Sequence, residues 1–209
     1  MAIRAAIFDL DETLLDRAPA WRYALEEAVI SITGRRIDAR PLVSEYRLRP
    51  WRHALGVVVT APGDIDRCEE LCEQLFYRSA MKRLLVHEGL GMALDHLRAG
   101  RVEMGAISRE PHSLAIKQIE STGLDRFLTV LSATPRGAGW DVEARLTECL
   151  SFLERPPASS AFLSQDEKDR TAARQAGFQA IRAAWVPGAS GEDEAIKTPG
   201  GLAVLLSRR

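Results

Sequence analysis

Residues Ile3 to Phe8 form a run, apolar but for Arg4, that stops abruptly at two carboxylates and a hydroxyl, Asp9, Asp11 and Thr13. An apolar run of this length reads as a strand buried on both faces, the kind found in parallel sheets. Packing gives no reason for such a strand to end in acid-x-acid-x-hydroxyl. Acids at the carboxyl end of a buried parallel strand sit where open α/β sheets bind ligands. Two carboxyl groups so close repel unless a cation or a shared proton joins them. This stretch is therefore the expected seed of an active site.

The rest of the chain sorts into two kinds of pattern. From about residue 16 to 84 it is helical, without strand alternation. Pro19 sits near a helix start, and Trp21, Leu25, Ala28, Val29 and Ile32 recur at helical spacing up to Gly34. A second helix is expected from Arg40 to Tyr46, and Pro50 interrupts. Trp51 to Val59 fits helix or strand. Asp64 is a candidate N-cap for a long helix with Cys68, Leu71, Cys72, Leu75 and Phe76 on one face. After residue 88, helices and short apolar strands alternate. Strands are expected at Val102–Ile107, Leu128–Leu131, Ala161–Leu163 and Ala180–Trp185, and helices at Gly89–Arg98, Pro111–Ser121, Val142–Leu153, Asp169–Gly177 and within Ile196–Leu206.

That alternation predicts a Rossmann-like, three-layer α/β/α core with a parallel sheet, formed by residues 1–15 and 85–209. An α-helical cap domain, residues 16–84, is inserted directly after the acidic loop. A cap at that point can close over the carboxylates and exclude water.

The formal net charge of -1 gives no global field for nucleic acid or an anionic membrane surface. Cys68, Cys72 and Cys149 show no zinc-like or disulfide spacing, and three free thiols suit a reducing compartment. Met1 leads directly into the first strand, with no apolar run of membrane-spanning length. The expectation is a cytoplasmic protein, monomer or homodimer, without a nucleic-acid or membrane partner.

The stretch FDLDETLLD resembles the first motif of the haloacid dehalogenase (HAD) superfamily, whose phosphatase branch carries Asp-x-Asp-x-Thr/Val. GAISREP is similar to the second motif, a strand ending in Ser or Thr, and DRTAARQAGFQAI to the segment after the fourth. The resemblance implies a Mg²⁺-dependent phosphatase acting on a small phosphorylated metabolite. Asp9 would be the nucleophile forming an aspartyl-phosphate. Asp11 would protonate the leaving alkoxide and then activate water, while its main-chain carbonyl binds Mg²⁺. Thr13 would brace the loop, and Ser108 would hold a phosphoryl oxygen, helped by a nearby backbone N–H. Arg109 and Arg136 complete the expected substrate-binding set, and Asp9, Asp11, Asp166 and Asp169 the metal set. The dehalogenase branch lacks an acid at the position of Asp11, which makes dehalogenation the weaker alternative.

The sequence also departs from the family. A third-motif Lys is expected just before the helix Val142–Leu153, and Trp140 stands there; no lysine lies between Lys117 and Lys168. Arg136 is the nearest cation in that loop, though a forked guanidinium is not a point charge. The fourth motif normally has Gly-Asp four or five residues before a second Asp. Counting back from Asp169 finds Gln165 and Ser164. A protein that keeps the pocket without efficient turnover, or that uses its cap to hold a partner, is the rival reading. In the cap, Arg35, Arg36, Arg40, Arg47, Arg49 and Arg52 fit either recognition of an anionic substrate or a solvated basic face.

Overall fold

The computed structural model describes residues 2–46 and 51–207. Met1, Arg47, Arg49 and Pro50 of the sequence reading lie outside them. By internal contact the chain divides into two compact units, Met1–Leu15 with Val86–Arg209, and Asp16–Leu85.

The larger unit is built on strand β1, Ala5–Asp9, in which every residue is buried. Two short segments follow along the chain, β2 (Leu15–Asp16) and β3 (Leu85–Val86), paired with each other where the chain leaves and re-enters this unit. The main sheet continues with β4 (Glu103–Ser108), β5 (Val130–Ala133), β6 (Ser160–Ser164), β7 (Gln179–Ala183) and β8 (Ala195–Ile196). Its order is β5-β4-β1-β6-β7-β8, and all five pairings are parallel. Strand β1 lies between β4 and β6, which explains why its sequence is apolar on both faces.

Alternation along the strands splits the core into two layers. Phe8, Ala106 and Leu163 face one way, against Leu90, Leu94 and Leu97 of the helix Leu90–Ala99, Ala115 and Ile119 of the helix His112–Thr122, and Leu202 and Leu205. Ile7, Ile107 and Phe162 face the other way, against Leu146, Cys149 and Leu150 of the helix Val142–Leu153 and Ala173 of the helix Glu167–Gln175. The result is the three-layer α/β/α arrangement expected. Gly105 in β4 is required by close packing, because a Cβ there would stand 2.7 Å from Val130 Cγ1.

Several boundaries differ from the sequence reading. The strand expected at Leu128–Leu131 starts at Val130, because a 3₁₀ turn at Leu124–Arg126 follows the preceding helix. Strand β8, Ala195–Ile196, was not read from sequence and begins one residue before the segment expected to contain the final helix; its two residues pair with Arg182 and Ala183 of β7. The helix expected from Asp169 begins at Glu167, and its N-cap is Asp166.

The smaller unit is helical, with helices Ala18–Thr33, Arg40–Tyr46, Trp51–Val58 and Pro62–Arg78. Ala61, not Asp64, is the N-cap of the last, since Pro62 and Gly63 already belong to its first turn. That helix packs on the first through small residues: the Cys68 and Cys72 thiols lie against the carbonyls of Ala28 and Ala24. Trp21, Trp51 and Phe76 form an aromatic cluster, with Trp21 and Trp51 centroids 3.7 Å apart. Arg40 pairs with Asp38, and Arg52 with Asp66 and Glu69, while Arg35 and Arg36 are exposed.

Candidate functional site

Strand β1 ends in a single π-helical turn, Leu10–Leu14, which buries Leu10 and Leu14 while holding Asp11 and Thr13 inside. Turns of this type recur at functional sites because the wider loop presents backbone groups that an α-turn would consume. Three contacts fix it. Trp185 Nε1 donates to the Thr13 carbonyl at 3.1 Å, the Gln165 amide donates to Thr13 Oγ1 at 3.3 Å, and His87 Nε2 meets the Glu12 carbonyl at 2.9 Å. Thr13 thus braces the loop through its hydroxyl and its carbonyl.

Asp9 and Asp11 are each 3% exposed. Asp9 Oδ1 accepts from the Asp11 amide at 3.0 Å, and its Oδ2 accepts from Ser164 Oγ at 3.1 Å. Asp11 turns toward the end of β4, where Ser108 Oγ donates to its Oδ1 at 2.8 Å and the Arg109 amide to its Oδ2 at 2.7 Å. Burial, then the charge of Asp11, holds the Asp9 carboxyl well above the usual carboxylate range; Arg109 pulls it partly back.

A second cluster adjoins the first through Arg109. Its guanidinium donates to Asp169 Oδ2 at 2.5 Å and to Asp166 Oδ2 at 3.3 Å, and its Cζ lies 4.5 Å from the Trp140 ring centroid. Trp140 Nε1 donates to Asp169 Oδ1 at 3.0 Å. Burial raises the Asp169 carboxyl, opposed by the Trp140 N–H and by Arg109. Asp166 Oδ1 caps the helix Glu167–Gln175 by accepting from the Lys168 and Asp169 amides.

The structure therefore gathers Asp9, Asp11, Thr13, Ser108, Arg109, Asp166 and Asp169 at the carboxyl ends of β1, β4 and β6. Arg136 is not among them, because it stands exposed in the turn after Pro135. The cation at Asp169 is Arg109, stacked on the tryptophan found where a lysine was sought. Ser164, His87, Trp185 and Arg170 were not assigned roles from sequence. Ser164 carried a signal as the residue ending a strand, and His87 as the histidine where the helical segment returns to the core. Arg170 is wholly buried; it donates to the Ser164 carbonyl at 3.0 Å and pairs with Asp193 at 2.7 Å, fixing the end of β6.

Asp9 and the Asp11 carbonyl are the hard oxygen donors a Mg²⁺ ion prefers, and buried carboxyl groups that repel one another are relieved by a cation. These two residues fit the ion. Asp169 does not fit in this arrangement, since its carboxylate is already paired with a cation, Arg109. Among the described residues, no three His, Cys, Asp or Glu side chains form a ready-made metal cluster.

No protein-family profile matches the chain. It is 24% identical over 186 residues to a phosphoglycolate phosphatase of Pseudomonas fluorescens, covering 85% of this chain and 68% of that protein. The crystal structure of a HAD-superfamily hydrolase of subfamily IA, variant 1, from Geobacter sulfurreducens superimposes with a TM-score of 0.81. The identity is 21%, over 98% of this chain and 96% of that one. A haloacid dehalogenase-like family hydrolase from Streptococcus pneumoniae matches at a TM-score of 0.73 and 15% identity, over 98% of each chain. The fold is that of the HAD-superfamily hydrolases, as the first motif implied. Among the described residues, no helix is long and apolar enough to cross a membrane.

Proposed function

We propose that this chain, with the HAD-superfamily fold and an intact Asp9-x-Asp11-x-Thr13 loop, is a phosphomonoester hydrolase acting on a small phosphorylated metabolite. The observation that carries the reading is the pairing at the end of β1. Asp9 is buried and held at both oxygens, while Asp11 rests on a hydroxyl and an amide from the neighbouring strand. A carboxylate held out of water and aligned becomes an effective nucleophile toward phosphorus.

The Ser108 hydroxyl and the Arg109 amide are the two donors a phosphoryl oxygen needs. Asp11 holds both, so substrate entry requires Asp11 to release them and turn to the leaving-group oxygen. There it gives up a proton as the ester bond breaks, and it takes one from the water that hydrolyses the Asp9 acyl phosphate. Mg²⁺, held by Asp9 and the Asp11 carbonyl, would offset the repulsion between the carboxylate and the phosphoryl group. The likeness to a phosphoglycolate phosphatase makes 2-phosphoglycolate the first metabolite to assay.

The test is phosphate release from p-nitrophenyl phosphate, 2-phosphoglycolate and a panel of small phosphomonoesters, with Mg²⁺ and with chelator. Wild type is expected to turn over with Mg²⁺, and Asp9→Asn to lose on the order of 10³-fold or more in kcat. Equal activity in Asp9→Asn overturns the mechanism. A second reading, a phosphate-binding protein without turnover, is favoured by Trp140 and Gln165 standing where the family places Lys and Asp. Phosphate binding without hydrolysis of any substrate would establish it.

A further inference from the structure

The third-motif position carries an indole instead of an ammonium, yet the cluster does not lack a cation. Arg109 reaches it from the opposite loop. Its guanidinium lies on the Trp140 ring and donates to Asp169 and Asp166. The same indole donates its N–H to the other oxygen of Asp169. Both oxygens of this carboxylate, which is 5% exposed, are thus held by two groups that stack on each other. The arrangement is closed: ring supports guanidinium, guanidinium and ring N–H bind the acid, and Asp166 anchors the guanidinium from the helix cap.

We propose that Arg109 is the resident counter-cation of Asp169, clamped there by Trp140, and that it keeps a divalent cation off that carboxylate. The physical basis is a comparison of two cations for one site. A guanidinium is permanently charged, weakly hydrated and stabilised by a ring face. Mg²⁺ dehydrates reluctantly and gains only from free oxygens in octahedral reach. With Gln165 neutral and Asp169 occupied, a divalent ion meets Asp9 and the neutral Asp11 carbonyl without a second anionic partner. Metal affinity is then governed by the hold of Arg109, not by the number of acids nearby. The proposal concerns the same pocket as the phosphatase reading and deepens it by naming how the pocket balances its charge.

The experiment is calorimetric titration of the full-length protein with MgCl₂ at low ionic strength, without substrate. Compared are wild type, Arg109→Gln, Trp140→Phe and the double variant Arg109→Gln/Asp169→Asn, each checked by circular dichroism. Wild type is expected to bind Mg²⁺ weakly, and Arg109→Gln to bind at least tenfold more tightly. That gain should vanish in the double variant. Trp140→Phe removes the N–H on Asp169 Oδ1 and leaves a smaller ring beneath Arg109, and should show a smaller gain in the same direction. Equal affinity in wild type and Arg109→Gln, or a gain that survives Asp169→Asn, overturns the proposal. If Arg109→Gln fails to fold, Trp140→Phe carries the test, and unchanged affinity there overturns it equally. The readout is heat of metal binding, so absent phosphatase turnover would sink the enzyme reading and leave this result standing. A failed titration would do the reverse.

Discussion

Asp9 is held at a cost that its neighbours impose. Its carboxyl is raised first by burial and then by Asp11, so the metal-free fold favours the protonated form. The unfolded carboxyl titrates near its ordinary value of 3.8 and the folded one well above it. Between those values the native state binds more protons, and stability falls as pH rises. In chelator, Asp9→Asn is therefore expected to raise the Tm over wild type at pH 8, with the difference closing toward pH 4, measured by thermal scans across that range. A difference independent of pH would show that another interaction had changed. The acid-x-acid-x-hydroxyl spacing was legible because those residues are neighbours on one turn. The Arg109–Trp140–Asp169 cluster was not, because its members stand on two loops and a helix far apart in the chain, and only the parallel sheet brings them together. Trp140 could be flagged as out of place, but nothing in its own segment named Arg109 as the group it would carry.

Among the elements, the helix Glu167–Gln175 does most to set the second half of the site. Asp166 starts it, Asp169 faces the cluster from its first turn, and Arg170 on the next position points into the protein. Arg170 ties the Ser164 carbonyl, the Ser190 carbonyl and Asp193 together, and Ser164 in turn donates to Asp9. Burial lowers the Arg170 pKa from its ordinary value, yet a guanidinium stays charged, so its desolvation has to be offset by these partners. Arg170→Ala is expected to destabilise the fold by about 3–5 kcal/mol, the range for breaking a buried ion pair. Arg174 also pairs with Asp193 but is 45% exposed, and Arg174→Ala should cost no more than about 1 kcal/mol. Urea unfolding of the two variants checks the contrast; equal losses would mean that burial of Arg170 confers no special weight. Helices with strong apolar faces were legible within a residue or two. Strand β8 was not, since two residues pairing at a sheet edge leave too short a pattern to separate from the turn that follows.

At the scale of the whole molecule, three thiols divide between the two units. Cys68 and Cys72 are buried in Asp16–Leu85, and Cys149 in the larger unit. Burial pushes the Cys149 thiol up to about 12 and raises those of Cys68 and Cys72. All three should resist a thiol reagent at pH 8 in the native protein. Because an unfolded thiol ionises near 9.0 and a folded one does not, stability declines as pH rises beyond that value. In a urea series the smaller helical unit, with less core per residue, is expected to expose Cys68 and Cys72 before Cys149. Coincident labelling would mean that the two units unfold together. The parallel sheet carries one more consequence, for the order in which the protein becomes whole. Asp9 meets Ser164, and Asp11 meets Ser108, only through contacts that reach far along the chain, the Ser164 bond spanning 155 positions. Such distant pairings form late and slowly. During synthesis the apolar β1 strand can pair with β4 midway, but its other edge and Asp9 must wait for β6 until most of the later chain has left the ribosome. A strand in that position is the segment of this molecule that depends most on being shielded in the interval.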